Sequence, residues 1–172
     1  MRWIALASFA VAVGTASAQQ IGGELRQWHD VVLTFDGPET DESAAQNPFF
    51  DYRLDVTFSK GAKKMLVPGY YAADGNAAET SATGGNKWRV HFVPDETGEW
   101  KYAASFRTGP EIAVADDPSE GRPLPLDGST GAFTVLPSDK RGRDHRAHGM
   151  LRYVGERYAR YQGSGEPFIQ IG

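Results

Sequence analysis

The chain has 172 residues, a formal net charge of −4 and no cysteine. Without cysteine it has neither a disulfide framework nor a site for N-terminal lipidation, so the fold must be stabilised by its apolar core. The basic residues are scattered among acidic ones and form no stripe, which argues against nucleic acid or an anionic membrane surface as a partner.

The first 18 residues have the pattern of a signal peptide. Arg2 is followed by an uncharged apolar run over residues 3–13, which is too short to span a bilayer. The run leads to Ala16-Ser17-Ala18, the small residues that a signal peptidase recognises, so we expect cleavage before Gln19. The alternative is an N-terminal membrane anchor. We therefore predict a secreted protein, periplasmic or extracellular, whose mature chain lies outside the membrane.

Period-two alternation dominates the mature chain, and apolar residues never recur at helical spacing over three turns. The clearest strand covers residues 50–58, where every second side chain is apolar. Residues 88–92 and 100–106 repeat this pattern on either side of a Pro/Gly-containing turn, which predicts a hairpin. Weaker strands are expected at residues 31–35, 65–67 and 132–136.

About seven short strands separated by turns predict an all-β fold. We expect a β-sandwich of immunoglobulin or fibronectin type over residues 19–137, with a barrel as the alternative. Residues 74–86 are expected to form a mobile loop and residues 116–128 a second long loop, because both lack periodicity. A turn ending at Gly98 precedes Trp100, as in the corner of immunoglobulin-like sandwiches, although such corners carry tyrosine.

The sequence changes in character after Pro137. Residues 138–148 are polar and rich in Arg and His, which predicts a linker. Residues 150–154 and 157–161 flank Gly155-Glu156 and predict a small hairpin across that pair. Residues 168–171 begin another strand just before the sequence stops, so we expect a further domain to follow.

Several motifs of the mature chain occur together in one order. They are Asn-Pro-Phe-Phe-Asp-Tyr-Arg-Leu at 47–54, Val-Pro-Gly-Tyr-Tyr at 67–71, Trp-Arg-Val at 88–90 and Pro-Asp-Glu-Thr-Gly-Glu-Trp at 94–100. With this combination, residues 24–106 resemble the module called domain of unknown function 5060. Such modules precede a (β/α)8 barrel in secreted bacterial glycoside hydrolases. Residues 149–172 resemble the hairpin and the first barrel strand that follow in those enzymes.

The resemblance implies a non-catalytic accessory module that supports or packs on the downstream catalytic domain of the same chain. The family's catalytic carboxylates would be expected in the barrel, beyond Gly172. A second possible function is a carbohydrate-binding module that targets an enzyme to polysaccharide, and a third is a stand-alone extracellular interaction domain. An apolar face near Tyr153, Tyr158 and Tyr161 would favour the first function, and these residues are the predicted barrel interface.

No complete catalytic site is visible among the acidic residues. Asp51 and Asp55 lie on the wet face of one predicted strand, roughly 13 Å apart, whereas retaining glycosidases hold two carboxylates much closer together. Asp95 and Glu96 are expected in a turn. We therefore predict no catalytic residue in this chain.

Metal binding and cofactors are not expected either. His145 and His148 have a spacing compatible with a metal site, but a structural zinc site needs four ligands and no further ligand is in prospect. Asp74-Gly75-Asn76 could begin a calcium loop, but the later acidic ligands are missing, so a turn is favoured. We predict no metal site and no cofactor.

A glycan surface would need several aromatic rings exposed together. Trp88, Trp100, Tyr102 and Phe106 alternate inward and are expected in the core. Tyr70 and Tyr71 are successive, so one of them must point outward if they lie in a strand. The candidates for carbohydrate binding are Trp28, Tyr70 and Tyr71.

Overall fold

The computed structural model describes residues 19–169, which contain eleven strands and one α-helix of four residues. The strands are β1 (Gln19–Gly23), β2 (Val31–Asp41), β3 (Tyr52–Lys60), β4 (Lys63–Pro68), β5 (Tyr70–Tyr71), β6 (Gly84–Phe92), β7 (Gly98–Thr108), β8 (Arg122–Pro123), β9 (Thr130–Val135), β10 (Leu151–Arg152) and β11 (Arg160–Tyr161). The helix α1 is Ala77–Thr80. The predicted signal peptide and residues 170–172 lie outside the described residues.

The first nine strands form two antiparallel sheets. One sheet has the order β1-β2-β6-β5, and the other has the order β4-β3-β7. On its free side the long strand β7 pairs with β9 along its first half and with β8 at its end. Within the described residues the sheets do not close into a barrel, and the prediction of an all-β sandwich is confirmed.

The core consists of side chains that alternate inward from both sheets. Phe58 of β3 and Phe92 of β6 belong to opposite sheets, and their rings stack with centroids 4.0 Å apart and an interplanar angle of 5°. The four rings predicted to be internal are all buried: Trp88, Trp100, Tyr102 and Phe106. Burial of large aromatic rings dominates the stability of a core of this kind, so a cysteine-free chain can fold without cross-links.

Trp100 fixes the turn before β7. Its indole Nε1 donates a hydrogen bond to the carbonyl oxygen of Glu96 over 2.9 Å. In the tyrosine corner of immunoglobulin-like domains, a phenol makes the same kind of bond to backbone a few residues upstream. Trp100 therefore takes the place that tyrosine has in those domains.

Residues 74–86 are more regular than the predicted loop. They contain α1, and β6 begins at Gly84, inside the predicted loop. A Cβ atom on Gly85 would lie 2.3 Å from the carbonyl oxygen of Ala73, and its φ of 152° disfavours other residues. Glycine is thus needed at position 85 because two backbone segments pass close to each other inside a strand. In the sequence, a glycine used in this way cannot be distinguished from a glycine in a turn.

Arg53 holds the second long loop against the sandwich. Its guanidinium donates to four carbonyl oxygens between residues 112 and 118, at 2.9 to 3.3 Å. A 3-10 turn at Ile112–Val114 precedes the loop, and the short strand β8 interrupts it. One arginine therefore supplies much of the order that the sequence pattern of this loop lacks.

The predicted C-terminal hairpin is present but short. Only Leu151 with Tyr161 and Arg152 with Arg160 pair, so the connection is much longer than the Gly155-Glu156 turn expected from the sequence. Phe168 and Ile169 are not in a strand. Next to them, Pro167 forms an isolated antiparallel β-bridge with Arg160. The rest of the predicted strand at 168–171 lies outside the described residues.

Candidate functional site

The C-terminal hairpin presents a group of exposed apolar side chains, which we call the hairpin surface. Tyr153 is 79 % exposed and Tyr158 41 %. The same hairpin and the segment hydrogen-bonded to it expose three aliphatic residues: Leu151, Val154 and Ile169. Scattered exposed apolar residues are common, but several on one small element are characteristic of interaction sites.

Tyr161 has a different position from the other two predicted interface tyrosines. Its ring contacts His145, His148 and Phe168, with centroids 5.2 to 5.8 Å apart. Its hydroxyl is hydrogen bonded to His145 Nδ1 over 2.6 Å. Tyr161 therefore packs inside the hairpin, and of the three predicted interface tyrosines only Tyr153 and Tyr158 belong to the hairpin surface.

The two histidines of the expected linker are both engaged with protein groups. His145 contacts Tyr161, as described above, and His148 donates from Nε2 to the carbonyl oxygen of Gly142 over 2.6 Å. The other nitrogen of His148 lies 3.1 Å from a carboxylate oxygen of Glu166. These contacts give both side chains a structural role. That neither histidine binds a metal stays a prediction.

A buried histidine attaches residues 138–148 to the sandwich. His29 is 1 % exposed, its Nδ1 donates to Glu24 Oε2 over 2.7 Å and its Nε2 is hydrogen bonded to Ser138 Oγ over 3.2 Å. The hydrogen bond from His29 lowers the pKa of Glu24, and Lys140 and Arg146 act in the same direction. The segment expected as a linker is thus bound to the sandwich by a polar network.

The same network contains the only group of metal-ligand types found among the described residues. Ligand atoms of Glu24, His29 and Asp139 all lie within 4.8 Å of one another. Lys140 Nζ, however, lies 3.6 Å from the Glu24 carboxylate and 3.2 Å from that of Asp139, and Arg26 lies 3.4 Å from Asp139. Basic side chains neutralise these carboxylates, so the arrangement is an ion-pair network.

Trp28 is covered by residues 138–169, which we call the C-terminal segment. It is only partly exposed, and Cβ atoms built on Gly149 and Gly163 would lie 3.1 and 3.3 Å from its indole ring. The backbone N–H of Trp28 donates to the carbonyl oxygen of Pro94, and its φ is 66°. Trp28 therefore contacts two glycines of the segment and does not stand open as a sugar platform.

Asp95 provides a second polar attachment of the C-terminal segment. Lys63 Nζ donates to both of its carboxylate oxygens, and Gln162 Nε2 donates to one of them over 3.0 Å. Burial acts to raise the pKa of Asp95, but the hydrogen bonds from Lys63 and Gln162 outweigh it and the pKa is lowered. Asp95 lies in the turn between β6 and β7, as predicted, and from there its carboxylate links Lys63 of β4 to Gln162 next to β11.

Tyr70 and Tyr71 lie on opposite faces of β5. Tyr71 is 6 % exposed, and its hydroxyl donates to the carbonyl oxygen of Thr40 over 2.6 Å, so it belongs to the core. Tyr70 is 45 % exposed, and its hydroxyl is hydrogen bonded to His91 Nε2 over 3.0 Å. Of the three aromatic residues proposed from the sequence for carbohydrate binding, only Tyr70 is substantially open to solvent.

Phe49 and Tyr70 border two adjacent cavities, which sequence reasoning did not reveal. The first has a volume of about 180 Å³ and is also lined by Arg53 and Asp55. The second has a volume of about 250 Å³ and is also lined by Arg89. We call the two cavities together the Phe49–Tyr70 cleft. The sequence signal for it was the repeated aromatic pairs at 49–50 and 70–71, in each of which one ring at least must face outward.

The carboxylates that sequence reasoning considered are not brought together. The side chain of Asp51 accepts hydrogen bonds from the backbone N–H groups of Asn47 and Glu111, at 2.8 and 3.0 Å, so it orders loops. Asp55 lines the Phe49–Tyr70 cleft and is the only acidic residue in its first cavity. Glu42 lines the second cavity of the cleft.

Comparison with known proteins agrees with this architecture. The family model described as Domain of unknown function (DUF5060) matches residues 24–107. These residues form a DUF5060 domain. No curated protein matches the chain significantly.

The chain is also similar to a solved structure. That protein is described as a "putative glycoside hydrolase" from Bacteroides vulgatus ATCC 8482, with 28 % sequence identity and a TM-score of 0.52. The match covers 83 % of this chain and 20 % of the other, so this chain spans about a fifth of that protein's length. No helix among residues 19–169 is long and apolar enough to span a membrane.

Proposed function

We propose that this chain is the secreted, non-catalytic accessory module of a polysaccharide-degrading glycoside hydrolase, and that it packs on the catalytic domain. The hairpin surface is the observation that carries the proposal. Its exposed tyrosines and aliphatic residues occur in the part of the chain that follows the DUF5060 domain. A surface of this composition is stabilised when a neighbouring domain removes it from water.

Two further observations support this role. The chain is similar to one fifth of a protein described as a "putative glycoside hydrolase". This similarity fits a module that accompanies a larger catalytic unit. The hydrogen bonds of His29 and Asp95 attach Ser138 and Gln162 of the C-terminal segment to the sandwich. A module attached in this way orients its hairpin surface, and rigid attachment reduces the entropy lost when a partner docks.

Hydrogen exchange on the protein encoded by the complete gene tests the proposal. Backbone amides of residues 151–159 should exchange at least about tenfold more slowly in that protein than in this chain alone, because docking would bury the hairpin. Residues 64–67 on β4 serve as an internal control and should exchange equally in both. Equal exchange of residues 151–159 in the two proteins would contradict the proposed docking.

A further inference from the structure

The Phe49–Tyr70 cleft combines exposed rings with an unsatisfied carboxylate. Phe49 is 50 % exposed and Tyr70 45 %. Each of the two cavities that they separate is smaller than the roughly 300 Å³ at the lower end of ordinary ligand pockets. Each therefore has room for a small ring and not for a large ligand. Because the cavities share one wall, a chain of linked rings could occupy both.

Asp55 gives the cleft a specific hydrogen-bonding requirement. Its side chain is 22 % exposed, and its one polar contact among the described residues is Arg53 Nε at 3.6 Å, which exceeds hydrogen-bonding distance. The terminal nitrogens of Arg53 are used by the carbonyl oxygens of the 112–118 loop. Burial raises the pKa of Asp55 and Arg53 opposes this. A partly buried carboxylate without donors is destabilised, so a ligand that donates hydrogen bonds to it is favoured.

The surroundings of Asp55 restrict the class of ligand. Each cavity is lined by one basic and one acidic side chain, Arg53 and Asp55 in the first and Arg89 and Glu42 in the second. Because neither cavity carries an excess of one sign of charge, a ligand of high net charge is not favoured over a neutral polar one. The faces of aromatic rings carry negative charge density and attract weakly polarised C–H groups. A ligand that suits the cleft therefore has hydroxyl donors on its edge and C–H groups on its face, and a sugar ring has both.

The aromatic wall is held in place before any ligand arrives. The Tyr70 ring lies nearly parallel to the imidazole of His91, with centroids 5.8 Å apart and an angle of 18°. The Phe49 ring packs edge-on against Tyr71 at 6.1 Å, and its backbone N–H donates to Asn47 Oδ1 over 2.8 Å. Fixed side chains lose little conformational entropy on binding, so the cleft is preorganised.

We infer that the Phe49–Tyr70 cleft is a glycan-binding site, in which Tyr70 and Phe49 contact sugar-ring faces and Asp55 accepts hydrogen bonds from sugar hydroxyls. This activity goes beyond the proposed docking function and uses a different surface. The hairpin surface contributes no residue to either cavity. Glycan binding and docking can therefore fail independently.

Affinity electrophoresis tests the inference on the chain as it is. The probes are soluble polysaccharides in separate gels: hydroxyethyl cellulose, mixed-linkage β-glucan, laminarin, galactomannan, xylan and polygalacturonate. At least one should retard the wild-type chain. Tyr70→Ala and Asp55→Asn should each weaken that retardation about tenfold or more, which corresponds to roughly 1.4 kcal/mol. Tyr153→Ala removes an exposed tyrosine of the hairpin surface and should leave retardation unchanged.

Thermal unfolding of each variant distinguishes loss of binding from loss of folding. Tyr70→Phe keeps the ring and should retain binding even if Tyr70→Ala proves poorly folded. The inference is overturned if no polysaccharide of the panel retards the wild type, or if retardation persists in folded Tyr70→Ala and Asp55→Asn. A loss of retardation on Tyr153→Ala alone would also contradict it, because it would place binding on the hairpin surface.

Discussion

The sandwich and the C-terminal segment are stabilised in opposite ways. The sandwich has a continuous aromatic core, in which rings from both sheets stack on one another. Residues 138–169 have few buried apolar side chains, expose Tyr153 almost completely and attach through hydrogen bonds and ion pairs. The difference indicates that the sandwich can fold on its own, whereas the C-terminal segment depends on the sandwich on one side and, in our proposal, on a second domain on the other.

The largest effect is expected from the core of the sandwich. Phe58→Ala removes a ring that is fully buried and stacked on Phe92, so the free energy of unfolding should fall by about 3–5 kcal/mol. Chemical denaturation followed by fluorescence measures this change. Phe50→Ala is the matched control, because Phe50 is 54 % exposed and the change should stay within about 0.5 kcal/mol. Equal effects of the two substitutions would contradict the assignment of the core.

The next effect concerns the attachment at His29. His29→Ala leaves Glu24 and Ser138 without their buried partner, so the free energy of unfolding should fall by about 2 kcal/mol. Hydrogen exchange of residues 138–148 should increase by a larger factor than that of β3 or β7. Arg141→Ala, which changes an exposed residue of the same segment, should change stability little. If the C-terminal segment kept its protection in His29→Ala, the attachment would be elsewhere.

A smaller, pH-dependent effect is expected from Asp95. Its pKa is lowered in the folded state, so the unfolded chain takes up the proton first as the pH falls below the ordinary aspartate value of about 3.9. The stabilisation is therefore complete above that pH and is lost toward the lower pKa of the folded state. Asp95→Asn should cost about 1 kcal/mol at pH 7, and its difference from wild type should shrink as the solution is acidified toward pH 3.

Urea denaturation at a series of pH values measures this difference. Glu99→Gln is a suitable control, because Glu99 is well exposed and its ion pair with Lys101 is 3.9 Å long. It should show almost no stability change at any pH. A difference between Asp95→Asn and wild type that grew on acidification would contradict the sign of the pKa shift.

The smallest effect is expected on the hairpin surface. Tyr153→Ala and Tyr158→Ala remove exposed rings that are not part of the buried core, so each should change the free energy of unfolding of this chain by less than about 0.5 kcal/mol. Chemical denaturation of the two variants checks this value. A loss of 2 kcal/mol or more would show that these rings support the fold of the chain itself.

The sequence was most informative where one face of a strand is buried. The alternation at residues 50–58 predicted β3, and the hairpin of β6 and β7 followed from the same period. The prediction was wrong at Gly84 and Gly85, the first residues of β6. A glycine that permits a close backbone crossing cannot be told from a turn glycine by sequence. Local pattern cannot distinguish these uses.

The functional surfaces were less predictable than the strands. His29 meets Ser138 across 109 positions of sequence, and no local pattern encodes a contact at that separation. Successive tyrosines at 70 and 71 indicated one outward ring but not which of the two, since that depends on the register with β6. The importance of Asp55 follows from what it does not contact, which only coordinates reveal.

Trp28 gives the molecule an optical reporter of its own. Trp88 and Trp100 are fully buried in the sandwich, whereas the indole of Trp28 lies against Gly149 and Gly163 of the C-terminal segment. Detachment of that segment transfers the indole of Trp28 from a protein surface into water and leaves Trp88 and Trp100 in place. The emission spectrum therefore distinguishes a loosened segment from an unfolded domain without any label.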